Sequence, residues 1–119
     1  MNTQQVAKRL VELCRAGRDA EAQQELYATD AISVEPREIP GMPKETKGLV
    51  AILQKGERFR SQLEAVHAEH TSDPMVAGEF FTVNFALDCT MKGRGRIELE
   101  DIGIYRVAGG KIVSEQFFY

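Results

Sequence analysis

Apolar residues recur at helical spacing over the first part of the chain and alternate with polar ones over its second half. Val6, Leu10, Leu13 and Cys14 keep the helical period, and Gly17 follows where a helix would close, which predicts a first helix. Asp19 is a plausible N-cap for a second, running to about Tyr27 and presenting Ala22, Leu26 and Tyr27 to a core before Thr29 and Asp30 interrupt it. The AISVE run reads as a short strand. It enters PREIPGMPKETKG, where Pro36, Pro40 and Pro43 rule out continued sheet or helix, so a loop is expected. Thr46 can cap a third helix whose apolar positions are Leu49, Ile52, Leu53 and Phe59, with Gly56 as an unfavourable interior residue.

From Leu63 onward the pattern is that of strands: LEAVHAEHTSD, EFFTVNFALDCTM, GRIELEDIGIYRV and KIVSEQFFY, separated by VAG, KGRG and AGG turns. An antiparallel meander is expected. The second run would span roughly 40 Å fully extended, too long for a flat sheet over so small a core, so the sheet must bend and acquire a concave face. In the last strand Val113, Glu115, Phe117 and Tyr119 share one face, and Ile112, Ser114, Gln116 and Phe118 the other. A strand apolar on both faces is covered on both, and an aromatic ending implies a terminus tied into the core.

Composition narrows the function classes. The 119 residues suit one domain, 1–119, and 43% hydrophobic with 28% charged content is that of an ordinary globular protein. Fifteen Lys and Arg against eighteen Asp and Glu give a net charge of −3, which argues against nucleic acid as a partner. MNTQQVAKRL contains no apolar stretch of a secretory signal, and no run approaches the ~18 residues of a membrane span, so a cytoplasmic protein with no membrane partner is expected. Cys14 and Cys89 lack CxxC or Cys/His spacing and are expected to be small core thiols.

The order helix, helix, strand, loop, helix, four strands defines an α+β class with helices packed on a curved sheet. Together with YATDAISVEP, a third helix started at Gly48 and the closing YRVAGGKIVSEQFFY, this order resembles the nuclear transport factor 2-like superfamily, in its SnoaL-like, ketosteroid-isomerase-related branch. The resemblance covers essentially the whole chain. It implies a cone-shaped, cystatin-like fold: a curved antiparallel sheet with three N-terminal helices on its concave face. It also implies a pocket between sheet and helices, and a homodimer through the outer face of the sheet.

Several side chains could carry chemistry. Glu35 stands directly before Pro36; in the steroid isomerases that the chain resembles, an acidic residue before such a proline is the base that takes a proton next to a carbonyl. In an apolar cavity its neutral form would be favoured, as a general base near neutral pH needs; otherwise it is a solvated charge beside a turn. The oxyanion-stabilising residues implied by the same resemblance are missing, because their positions fall on Leu10 and near Gly103, which speaks against steroid isomerisation itself.

Glu115 is expected inside with Phe117 and Tyr119, where it must be protonated, hydrogen-bonded to a tyrosine or histidine, or met by a ligand. Asp101 joins it if Ile97, Leu99, Gly103 and Tyr105 point inward, unless a bulge near Gly103 reverses the facing; the other reading is a solvated charge paired with Arg96 or Arg106. A three-residue Val76-Ala77-Gly78 turn, preferred because only glycine then takes positive φ, would put His67 on the inner face with Phe81, Val83 and Phe85, and His70 outside. Lying three apart on a strand, the two histidines cannot share a metal, and no metal or cofactor is expected. Tyr27 reads as core packing.

Two functions remain. One is cofactor-independent acid/base chemistry, isomerase- or cyclase-like, on a small hydrophobic carbonyl compound, carried by Glu35, His67 and either Glu115 or Asp101 in a pocket lined by Phe81, Val83, Phe85, Tyr105, Phe117 and Tyr119. The other is a non-catalytic module for ligand binding or dimerisation.

Overall fold

The computed structural model describes residues 1–119. Helix α1 (Thr3–Arg15) starts from Asn2, whose side chain accepts from the Gln5 backbone N–H while the Gln5 side chain accepts from Asn2 N–H. This reciprocal capping satisfies two of the donors that a helix start leaves free. Val6, Ala7, Leu10, Val11 and Leu13 form its buried stripe. Helix α2 (Asp19–Leu26) buries Ala22 and Leu26 but ends before Tyr27, which instead opens strand β1 (Tyr27–Val34). The strand is therefore longer than AISVE.

A short strand β2 (Glu45–Lys47) pairs antiparallel with β1 and includes Thr46, so Thr46 is a strand residue and Gly48 is the N-cap of α3 (Leu49–Ser61). Between β1 and β2 lies the proline-bearing loop, with a small bridge from Ile39 to Met42. The remaining strands are β3 (Leu63–Thr71), β4 (Met75–Ala77), β5 (Phe80–Met91), β6 (Gly95–Ala108) and β7 (Lys111–Phe118). They form one seven-stranded sheet in the order β2-β1-β7-β6-β5-β3, with β4 also paired to β5.

The sheet is mixed. β1 runs parallel to β7, whereas every other pair is antiparallel. A connection through helix and loop separates β1 from the meander, which permits the parallel pair, and the result is the expected α+β cone, curved and unclosed. The β6–β7 hairpin turns on Gly109 and Gly110, both at positive φ (60° and 78°), the backbone that a two-residue turn with right-handed twist requires.

Two irregularities decide which side chains point inward. In β7 the pairs Arg106 with Ser114 and Val107 with Ile112 leave Val113 as an extra residue, so Ile112 and Glu115 both face the core despite their odd spacing. Ile112 thus leaves the outer face that simple alternation predicts. The core comprises the α1 stripe, Ala22, Leu26, Tyr27, Ala31 and Ile52, packed on Phe81, Val83, Tyr105, Val107 and Ile112 of the sheet. Phe81 and Tyr105 stack with centroids 4.7 Å apart, a contact worth about 0.5–1.5 kcal/mol beyond area burial.

The second irregularity lies in β3. Met75–Ala77 pairs with Phe80–Thr82 around a Gly78-Glu79 turn, not the Val76-Ala77-Gly78 turn expected, and a further register shift separates Val66 from Ala68. His67 falls in that shift. It is exposed, and its Nε2 lies 2.7 Å from Thr90 Oγ1. His70 is exposed as well. No helix is long and apolar enough to cross a membrane. Both cysteines are free; Cys89 is buried, and burial pushes the half-buried Cys14 thiol up to about 12.

Candidate functional site

The inner face of the sheet is organised in rows that cross the strands. Ser33 of β1 is in register with Glu115 of β7, Glu115 with Tyr105 of β6, and Tyr105 with Phe81 of β5. One step further toward the open end come Phe117, Gly103 and Val83, with Glu35 continuing the inward alternation of Ala31 and Ser33. Asp101, Phe85 and Thr71 form the next row. Period-two alternation along three neighbouring strands therefore brings Glu35, Asp101 and Glu115 together.

The innermost acid is fully satisfied. Glu115 is 3% exposed, its Oε2 accepts from Ser33 Oγ at 2.6 Å, and its Oε1 accepts from the Tyr27 hydroxyl. Burial raises its carboxyl above the ordinary range, and the Ser33 and Tyr27 hydrogen bonds and the Lys55 charge oppose that rise. Burial, reinforced by the Glu115 charge, lifts the Tyr27 phenol well above its usual value, so it stays protonated as a donor. Ser33 also accepts from Lys55 Nζ at 2.7 Å, which gives a continuous chain from Lys55 through Ser33 and Glu115 to Tyr27.

The outer acids differ. Glu35 is 7% exposed; its Oε1 accepts from the Tyr119 hydroxyl at 3.3 Å, and its Oε2 is buried with no hydrogen-bond donor. Lys55 Nζ stands 3.7 Å from that oxygen, an ion pair too long to be a hydrogen bond. Asp101 likewise has a buried oxygen, Oδ1, without a partner. Burial, then the charges of Glu35 and Glu115, pushes its carboxyl up to about 6. Half-buried Phe117 lies 5.9 Å below Lys55 Nζ, and Arg37 sits 5.5 Å from the centroid of the exposed Tyr119 ring.

The structure separates the sequence candidates into three groups. Glu35, Asp101 and Glu115 share one cluster. His67 does not belong to it: three strands, β7, β6 and β5, stand between its strand and β1, and the β3 register shift turns the ring outward. Among the candidate lining residues, Phe81, Val83 and Tyr105 are packed core at 1%, 1% and 2% exposure, while Phe85 and Phe117 are half-buried against that core. Two surface depressions, one bounded by Lys8, Arg15 and Asp73 and the other by the Glu38–Pro43 loop, contain none of the three acids.

Sequence reasoning missed Lys55 and Ser33 and read Tyr27 only as packing. A signal for Lys55 existed, because it lies three residues after the fully buried Ile52 and so on the apolar face of α3. Gly103, where the resemblance implied an acid, has no room for one: a Cβ there would lie 2.9 Å from Tyr105 Cε2 and 3.2 Å from Phe117 Cε1.

The family model of the SnoaL-like domain matches residues 1–119. The chain belongs to this family. A SnoaL-like structure from Mesorhizobium loti, provisionally named a polyketide cyclase, is 33% identical over 100% of both chains with a TM-score of 0.92. A cystatin-like protein of unknown function from Xanthomonas campestris is 18% identical, covering 99% of this chain and 90% of its own, with a TM-score of 0.82. A protein of ketosteroid isomerase-like fold from Catenulispora acidiphila, in complex with trimethylamine, is 20% identical over 96% of this chain and 84% of its own, with a TM-score of 0.72. The last two bear on the fold alone. None of the curated proteins is detectably similar in sequence.

Proposed function

We propose that this SnoaL-like protein carries out cofactor-independent proton transfer on a small hydrophobic carbonyl compound held at the open end of the cone, beside Glu35, Asp101 and Phe117. The observation that carries the reading is the pair of buried carboxyl oxygens, Glu35 Oε2 and Asp101 Oδ1, that no protein donor reaches. Buried acceptors without donors cost about 1–3 kcal/mol each, and a ligand supplying donors would offset that cost. Asp101, pushed up to about 6, retains part of its proton near neutrality, whereas Glu35 faces the Lys55 ammonium. One carboxylate to accept a proton and one carboxyl to return it is the division that acid/base catalysis requires.

Family membership and the Mesorhizobium loti relative's name agree with chemistry of this kind. The test is deuterium exchange: simple ketones incubated with the protein in heavy water should exchange the hydrogen next to the carbonyl faster than in buffer, and Glu35→Gln should fold normally and abolish the excess. An unaltered rate in Glu35→Gln would sink the reading. A second copy on the outer face of the sheet is a separate part of the proposal, supported by Ile102 and Phe118, paired across β6 and β7 and 47% and 44% exposed. Sedimentation should show a dimer that Phe118→Asp weakens.

A further inference from the structure

We infer that Lys55 supplies the positive charge that meets the oxygen anion formed at this site, and that the buried chain Ser33–Glu115–Tyr27 exists to hold it there. The inference rests on the proton-transfer reading and assigns the electrostatic role that Leu10 and Gly103 leave vacant.

Three observations carry it. Lys55 is the cation among the buried acids, its side chain only 13% exposed, and its Nζ lies over the Phe117 ring where an apolar ligand would rest. Its hydrogen bond to Ser33 Oγ, 2.7 Å long, is anchored by a carboxylate that is itself bonded through both oxygens, so the ammonium is fixed in place. Its partnership with Glu35 is loose, at 3.7 Å, too long for a hydrogen bond, and leaves N–H capacity for a further acceptor.

The charge balance follows from this geometry. When the C–H bond beside the carbonyl breaks, its proton forms an O–H bond with Glu35, its electron pair forms a C=C bond to the carbonyl carbon, and the C=O π pair moves onto the oxygen. Glu35 becomes neutral, so Lys55 loses one anionic partner as another appears, and the ion pair is exchanged rather than created. A fixed cation that is already desolvated stabilises such a charge more than a flexible surface lysine could.

The probe is 4-nitrophenol, whose anion mimics an enolate, with 4-nitroanisole as its neutral counterpart. Wild-type protein should bind the phenolate about tenfold or more tightly than the anisole, and Lys55→Met should erase that preference while Lys55→Arg keeps part of it. Equal binding of the two compounds by wild type, binding of neither, or a preference that survives in Lys55→Met would overturn the inference. Should Lys55→Met fail to fold, wild type alone decides: bound 4-nitrophenol must show the phenolate spectrum at a pH where the free compound is mostly neutral. Loss of the Lys55-dependent preference with Glu35-dependent deuterium exchange intact would remove Lys55 and spare the proton-transfer reading. The converse result would leave Lys55 as an anion-binding residue without that reaction.

Discussion

Glu115 and Glu35 are both buried carboxylic acids on the inner face of one sheet, at 3% and 7% exposure, yet they are held in opposite ways. Glu115 has a donor on each oxygen and lies in a row closed by Tyr105 and Phe81. Glu35 has one long hydrogen bond, one bare oxygen and a lysine just out of hydrogen-bond reach. The first is a completed structural network. The second has unused capacity, and for that reason the proposed ligand is placed beside it.

The comparison breaks most visibly if Glu115 is removed. Glu115→Ala strips the partner from Ser33 and Tyr27 at once and opens a void, so a loss of about 3–5 kcal/mol is expected in chemical denaturation. A loss below ~1 kcal/mol would mean that the network contributes little. Gly103→Ala comes next, because its methyl group must displace Tyr105 and Phe117, both in contact distance; destabilisation of about 1–3 kcal/mol is expected from thermal melts.

A smaller effect sharpens the contrast through pH. Asp101 has its folded-state value raised to about 6, above the ~3.9 of an unfolded chain, so the folded protein holds that proton more tightly. Its contribution to stability is therefore greatest below about pH 4 and is lost as pH rises through about 6. Melting temperatures of wild type and Asp101→Asn should diverge across that window, the variant lacking the acid-side gain. Parallel curves would show an ordinary aspartate. The smallest effect is at His67: His67→Ala should change stability by no more than ~0.5 kcal/mol and leave deuterium exchange intact, because the ring is exposed on the far edge strand.

Much of this architecture was legible from the sequence. The helical period of Val6, Leu10 and Leu13, the prolines at 36, 40 and 43 and the glycine-marked turns set the order of elements, because each is a local property of the backbone. Alternation in RIELEDIGIYRV also put Asp101, Gly103 and Tyr105 on one face, and the continuous β5–β6 register keeps them there. Where a single extra residue shifts register, alternation fails. His67 in β3 and Ile112 in β7 both lie beside such shifts, and both face the side opposite to that expected.

The sequence by itself thus determined the class of fold and the presence of acids among aromatic residues, since these follow from periodicity and composition, while the family came from the resemblance carried by YATDAISVEP and YRVAGGKIVSEQFFY. Only the tertiary structure decided which acid is satisfied and which is not. The donors to Glu115 come from Tyr27 and Ser33 of β1, more than 80 positions away, and Lys55 reaches these strand residues from helix α3. Such long-range contacts depend on the parallel pairing of β1 with β7 and on the seating of α3, and no local pattern encodes either.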